Sequence, residues 1–366
     1  MRQMREGVLK KLIPILALIP LVIMALTPPL ELVLDCTINS TFWLWMTFIC
    51  GFLTFLFLYQ KVSVWLKLLV VWCFVSSFWS KAPYMSFTMM WSVIVCAYYY
   101  LLCTKIEDWE PVKKCVQAIF FFITLLFIMQ LFGKDTLVNF NHKSPVIFGI
   151  IGNRMIASTF ACTLAPFLLF NPLNWIILSI ISLVTWSSGA VLSIGAGLCV
   201  YGWMKYKRLR VLIAIVAIVI PVLFAYKTGD FSKSTMRAGR LPIYKKTLEL
   251  SLKRPQGYGI GTYKILFEYL CGWKIRDQSP GKAWRQTHSD PLQILFETGF
   301  PGIILFVGWF VSIIRKIKDP IKLAGIAILL VNMSVHFPTR VCNSVFLILI
   351  FLAFCSKGDV CLKPAR

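Results

Sequence analysis

Arg285-Gln-Thr-His-Ser-Asp-Pro-Leu-Gln-Ile-Leu-Phe-Glu-Thr-Gly-Phe-Pro-Gly302 sets one of only three histidines in the chain at the threshold of a long apolar run. Asp290 is suited to cap a helix, and Pro291 suits its first position, where the fixed φ helps and the missing N–H is not needed. Gln293 is spaced to complete a capping box by reaching back. The pattern therefore predicts a helix start just after His288. The run from Leu292 to Ile314 is long enough to cross a hydrocarbon core of roughly 30 Å and carries one charge, Glu297, near its polar end.

The rest of the chain has the same character. Of 366 residues, 58% are hydrophobic and 14% charged, more apolar material than a soluble domain could hide, so the expected fold is an all-α polytopic membrane protein. Apolar runs at 11–30, 41–59, 62–79, 85–103, 115–132, 154–170, 173–187, 189–204, 210–226, 292–314, 321–337 and 342–356 predict about twelve transmembrane helices. The division of 173–204 into two is the softest of these boundaries. The first run has basic flanks but no small-residue cleavage site, so it is expected to be a retained helix. The expected organisation is transmembrane helices over 1–226, a basic loop over 227–290, and three further helices with a tail over 291–366.

Orientation follows from Lys and Arg near the ends of the runs. An even count puts both termini on one side, and that side collects 20 basic residues in termini and short loops against 5 on the other. The termini are thus expected in the cytoplasm. The loop 227–290 then lies outside it, with 13 basic and 5 acidic residues, a net +8. Long translocated loops escape the positive-inside rule, so the excess agrees with the topology. It asks for an anionic partner, with membrane lipid headgroups one source.

Within this loop, Leu241, Tyr244, Leu248 and Leu252 recur at helical spacing after Arg237 and Arg240, which predicts a short interfacial helix. It should end at Arg254-Pro-Gln-Gly-Tyr-Gly-Ile-Gly261, whose glycines permit φ > 0 and a close backbone approach to a ligand. No strand precedes them, so a dinucleotide fold is a poor reading. Shorter turns at 77–83, 152–154, 186–190 and 336–340 should gather on the same face. Ser188 there suits a helix cap, whereas Arg154 at the start of a run either snorkels or meets an anion. His142 and His336 are adequately explained by local turns. No two histidines share ligand spacing, so no metal site is expected. The twelve cysteines contain no C-x-x-C pair and read as apolar packing residues.

These pieces, in this order, resemble the O-antigen ligase and O-antigen polymerase superfamily of bacterial membrane glycosyltransferases. The similar segments are Trp79-Ser-Lys-Ala-Pro83, Gly152-Asn153 with the later Pro166, Arg240, Pro255, Gly257-Tyr-Gly-Ile-Gly261, and His288-Ser-Asp-Pro-Leu-Gln-Ile-Leu-Phe-Glu-Thr-Gly299. The resemblance implies a periplasmic-face enzyme of the inner membrane. It would move a glycan from undecaprenyl diphosphate to a glycan or lipid A–core acceptor, with inversion and without metal or other cofactor. The family's histidine maps onto His288 and its loop arginine onto Arg240, with Glu297 and Ser188 in support. One departure is Ser187-Ser188-Gly189, where the family commonly has Ser-Arg-Gly; Arg154 or Arg237 is expected to supply the missing charge.

A diphosphate leaving group suits the bidentate guanidinium, and an imidazole of ordinary pKa near 6.5 can accept the acceptor hydroxyl's proton at neutral pH. Ligation is favoured over polymerisation because the single long loop just before the histidine motif resembles the ligase branch of that family. A transporter or lipid flippase would place ionisable groups at mid-membrane depth, and the runs are almost uncharged at their centres. A non-catalytic scaffold would tolerate loss of His288. Nothing suggests nucleic acid as a partner.

Overall fold

The computed structural model describes residues 12–19, 63–131, 154–169, 171–184, 187–210, 240–271, 286–340 and 342–357. Every regular element among them is helical. The helices are α1 (Val64–Phe78), α2 (Pro83–Cys103), α3 (Glu110–Leu131), α4 (Arg154–Leu168), α5 (Pro172–Val184), α6 (Ser188–Lys205), α7 (Arg240–Lys253), α8 (Tyr263–Cys271), α9 (Asp290–Ile314), α10 (Pro320–Val335) and α11 (Cys342–Ser356). Residues 12–19 are also helical, and Tyr99 donates to the carbonyl of Ala17 at 2.8 Å.

Nine of the predicted apolar runs coincide with helices α1 to α6 and α9 to α11. The runs 41–59 and 210–226, with Arg237 and His142, lie outside the described residues. Among the described residues three helices are long and apolar enough to cross a membrane, Pro83–Cys103, Glu110–Met129 and Asp290–Ile314, with shorter apolar helices beside them. The chain is a helical membrane protein.

Capping and composition account for the helix starts. Asp319 accepts from the Ile321 N–H at 2.9 Å with Pro320 next to it, and Ser187 accepts from the Ala190 N–H at 3.4 Å. Helix α11 is apolar all round and buried from Ser344 to Cys355, as expected for a helix surrounded by others. Tyr99 meets Phe346 edge-on at 4.7 Å and Phe167 meets Phe351 at 5.4 Å.

Helices α6 and α10 touch along small residues. Gly189, Ser193 and Gly197 form one stripe at four-residue spacing, and a β-carbon at Gly197 would stand 2.4 Å from Cγ1 of Ile328. Small residues let the backbones approach and gain dispersion energy that lipid cannot match.

The feature that organises one end of the bundle is a break in α9. Gly299 adopts φ 71° and ψ −172°, and Pro301 follows with no N–H to give. The carbonyls of Phe296, Glu297 and Thr298 therefore lose their helical donors. Each finds another: Tyr258 N–H donates to Phe296 at 3.0 Å, Gly259 N–H to Glu297 at 2.8 Å, and Trp72 Nε1–H to Thr298 at 2.7 Å. In return the Phe300 N–H donates to Pro255 at 2.9 Å. The predicted uninterrupted helix from Leu292 to Ile314 is thus two pieces joined at Gly299.

The glycine turn 254–261 is the donor in this exchange. Gly257 has φ 85°, and a β-carbon on it would stand 2.5 Å from the Glu297 carbonyl; on Gly299 it would stand 2.2 Å from the Pro255 carbonyl. The predicted close approach exists: Gly257 meets the backbone of α9, Gly259 meets Ser80 and Ser86, and Gly261 meets Met89. Aromatic stacking holds the contact: Tyr258 lies on Phe296 at 4.5 Å and 14°, and Tyr263 meets Phe296 edge-on at 5.0 Å.

Helix α7 falls where an interfacial helix is expected, and residues other than its apolar stripe face the protein. Ile243, Thr247, Leu250 and Ser251 are its buried residues, while Leu248 and Leu252 are exposed and Tyr244 is half-buried. The inward face is fixed by α8, where Tyr263 and Thr247 share a hydrogen bond at 3.2 Å. The apolar stripe read from spacing alone therefore points mostly away from the protein.

Replacing Gly299 by Ala combines left-handed backbone strain with a backbone clash and is expected to lower stability by roughly 2–4 kcal/mol. Trp72→Phe, which removes one donor, should lower it by about 1–3 kcal/mol. Thermal unfolding of the detergent-solubilised chain measures both, and an unchanged melting temperature for Gly299→Ala would refute this account of the break.

Candidate functional site

His288 is the only non-glycine residue with positive φ among the described residues, at 57°. A side chain in this left-handed region costs about 1–2 kcal/mol, so neighbours must hold it there. Three do. Tyr244 of α7 donates its hydroxyl to the His288 carbonyl at 2.9 Å, and Thr287 Oγ1 accepts from the Ser289 N–H at 3.0 Å while donating to the Ser289 carbonyl. Phe337 meets the imidazole edge-on at 5.0 Å. His288 as a whole is half-buried, and its Nδ1 is buried.

The helix start after His288 exists, with different roles from those the spacing suggests. Ser289 is the N-cap residue and makes no side-chain cap bond. Asp290 is already in the helix and fully buried, and it accepts from the Thr339 N–H at 3.0 Å and Thr339 Oγ1 at 2.6 Å. Its carboxylate is better used as a clamp because the first turn of α9 offers it a favourable helix dipole and the 336–340 turn offers two donors. Gln293 reaches back past the cap to the Thr287 N–H at 3.5 Å, and donates forward to Glu297 Oε1 at 3.1 Å. Glu297, 1% exposed, thus lies in a buried polar row running from His288 to the helix break.

Arg240 opens α7, four residues and so one turn before Tyr244 on the same face. The backbone of Arg240 therefore stands about 6 Å along the axis from the residue that holds His288. Arg154 opens α4, and Ser188 opens α6. The side chains of these three lie outside the described residues. Helices α4 and α6 both meet α10. In α4, Thr159 accepts from Asn332 Nδ2 at 3.1 Å, and Asn332 is one turn before His336 in α10. Gly189, next to Ser188, packs against His336 itself.

His336 was underrated by spacing. It is 2% exposed, and the turn it opens carries both Phe337 against His288 and Thr339 against Asp290. A histidine followed by Phe-Pro at a span end offers no local signal of this, since the contacts come from residues some 50 to 150 positions away.

At the base of the site Arg254 donates through Nη2 to the Trp79 carbonyl at 2.7 Å, with its guanidinium 5.3 Å from the Tyr258 ring centre. Farther along α7, Glu249 accepts from Lys253 at 2.9 Å and Lys246 at 3.0 Å. These lysines, Lys253 foremost, lower its carboxyl to about 2. No group of three potential metal ligands occurs among the described residues.

Thr339→Val should destabilise the His288 turn by about 1–3 kcal/mol through the bond lost to a buried carboxylate, seen as a lower melting temperature. Glu249 has a folded pKa below its usual 4.5, so its contribution is complete above pH 4.5 and fades as pH falls towards about 2. Glu249→Gln should remove that component of the acid-unfolding curve. A curve identical to the parent's between these limits would sink the assignment.

No curated protein matches the chain. Residues 173–307, from α5 to beyond the break in α9, match the family model described as O-antigen ligase, and this segment holds Ser188, Arg237, Arg240, His288 and Glu297.

Proposed function

We propose that the protein is an inverting glycosyltransferase of the bacterial inner membrane, with both termini cytoplasmic and its site on the periplasmic face. It takes a glycan from undecaprenyl diphosphate and attaches it to an acceptor hydroxyl, as an O-antigen ligase acting on lipid A–core. The observation that carries this reading is the Tyr244 bond to the His288 carbonyl, because it ties α7, the helix that Arg240 opens, to the His288 turn. Arg240 would then offer a cation site and His288 a base from neighbouring elements.

The acceptor oxygen attacks the anomeric carbon from the side opposite the diphosphate. Its bond forms as the carbon–oxygen bond to phosphate breaks, the hydroxyl proton passes to the His288 imidazole, and the lipid diphosphate departs as an anion. Inversion follows. Charge accumulates on the leaving diphosphate, so donors fixed there lower the barrier most. Arg240 fills that role, with Arg237 or Arg154 as a second guanidinium. The positive charge comes from these side chains, so the reaction as read here needs no metal ion. Glu297 and Ser188 support the two walls, Glu297 through Gln293 and the Thr287 backbone.

Polymerisation uses the same donor and is separated by its product. Deleting the gene and resolving the surface polysaccharide on a gel should abolish all capped chains for a ligase. A single capped unit means a polymerase, and an unchanged pattern excludes both. In the deletion strain, His288→Ala should restore no more than about 1% of the product, and Arg240→Lys about 10% or less. Full restoration by His288→Ala would refute the base assignment.

A further inference from the structure

His336 lies outside the segment matched to the family, and its position gives it more than a turn role. Its ring is wedged against the start of α6. A β-carbon on Gly189 would stand 2.2 Å from Nε2 and 2.9 Å from both Cδ2 and Cε1. Such distances mean that the imidazole fills the space a side chain would take. The ring is 2% exposed, and the His336 N–H donates to the Asn332 carbonyl at 2.8 Å, closing α10.

The next residues carry the consequence to His288. Phe337, also buried, sets its ring 5.0 Å from the His288 ring, and Thr339 binds both oxygens of Asp290. Asp290 is two residues after His288. The turn 336–340 is therefore fastened at one end to α6 through the His336–Gly189 contact and at the other to α9 through Asp290, with the His288 ring against its middle. Packed interiors are close to incompressible, so displacing the ring at Gly189 shifts Phe337.

We infer that His336 is a positioning residue: its packing on Gly189 sets Phe337 against His288 and so joins the Ser187–Ser188 start of α6 to His288 as two walls of one site. This deepens the glycosyltransferase reading and rests on it for the effect on turnover, but the packing claim can be tested without it. Gly189 is required here for space, since its smallness admits the imidazole.

Two measurements on the purified full-length chain in liposomes separate the claims. The first is the rate at which diethyl pyrocarbonate modifies His288, followed by mass spectrometry of its peptide. It reads the surroundings of the ring whatever the protein catalyses. In His336→Ala and in Gly189→Ala, which reaches the same contact from the other side, the rate should rise about threefold or more as Phe337 leaves the ring. An unchanged rate in both overturns the proposal. The second is turnover with lipid-linked glycan and lipid A–core extracted from the deletion strain. Each single variant should lower kcat about tenfold while the half-saturating donor concentration stays within about twofold, because placement of the base changes and diphosphate binding does not. Adding Gly189→Ala to His336→Ala should cost no further activity, since the ring that the new methyl would strike is gone. Multiplying losses, or a rise in the donor requirement with kcat intact, would overturn it. No turnover by the parent protein with a raised modification rate in the variants refutes the proposed reaction and leaves the packing role standing.

Discussion

A backbone that leaves helical geometry inside a membrane protein must find new partners for every group it frees, because lipid offers none. At Gly299 that requirement falls on the carbonyls of Phe296, Glu297 and Thr298. Two backbone donors from the 254–261 turn and the indole of Trp72 meet it. The turn can reach only because Gly257, at positive φ, presents no side chain to α9, while Gly259, also at positive φ, presents none to Ser80 and Ser86. Much of the rest follows. The stack of Tyr258 on Phe296 anchors the turn, α7 and α8 are held to the first half of α9, and Tyr244 is thereby brought to His288.

The same break explains why a polar row can be buried so close to an apolar span. Gln293 and Glu297 lie one turn apart on the short first piece of α9, which is covered by α7 and α8 instead of lipid. Protein neighbours supply hydrogen bonds that hydrocarbon would not, which makes a buried carboxylate tolerable there. Beyond Gly299 the helix becomes almost wholly apolar, with Ile304 and Val307 exposed on its surface. The break divides a segment shaped by a site from a segment shaped by the bilayer.

Much of the helical fold was legible in the amino-acid sequence, because apolar runs report burial in lipid directly: α1 to α6 and α9 to α11 follow them closely. The start of α9 was legible too, from Ser-Asp-Pro after His288. What spacing misassigned were groups whose role depends on distant partners. Asp290 and Gln293 have the composition of caps, but a two-donor turn at Thr339 and the Thr287 backbone compete for them more effectively. The glycines at 257–261 announced a close approach without saying to what. On α7, the spacing marked an apolar stripe for an interfacial helix but gave no sign of the opposite contact, where Thr247 and Ser251 are inward because α8 offers the Tyr263 hydroxyl and a close surface. His336 gave no local sign, since Gly189 and Asp290 meet its turn only in three dimensions.

The backbone of His288 bears on where function lies. A turn built for stability alone would place Gly in the left-handed region, where it carries no steric penalty, or Asn, which tolerates it best among the others. A histidine there keeps a cost of about 1–2 kcal/mol, met by Tyr244, Thr287 and the Phe337 edge. Strain of this kind persists where the surroundings over-determine the conformation, and such positions gather at active sites. Here the surroundings do so from three directions: α7 holds the carbonyl, the residues on either side share hydrogen bonds, and the 336–340 turn borders the ring. A half-buried histidine is thus retained against its backbone preference by supports that are themselves largely buried.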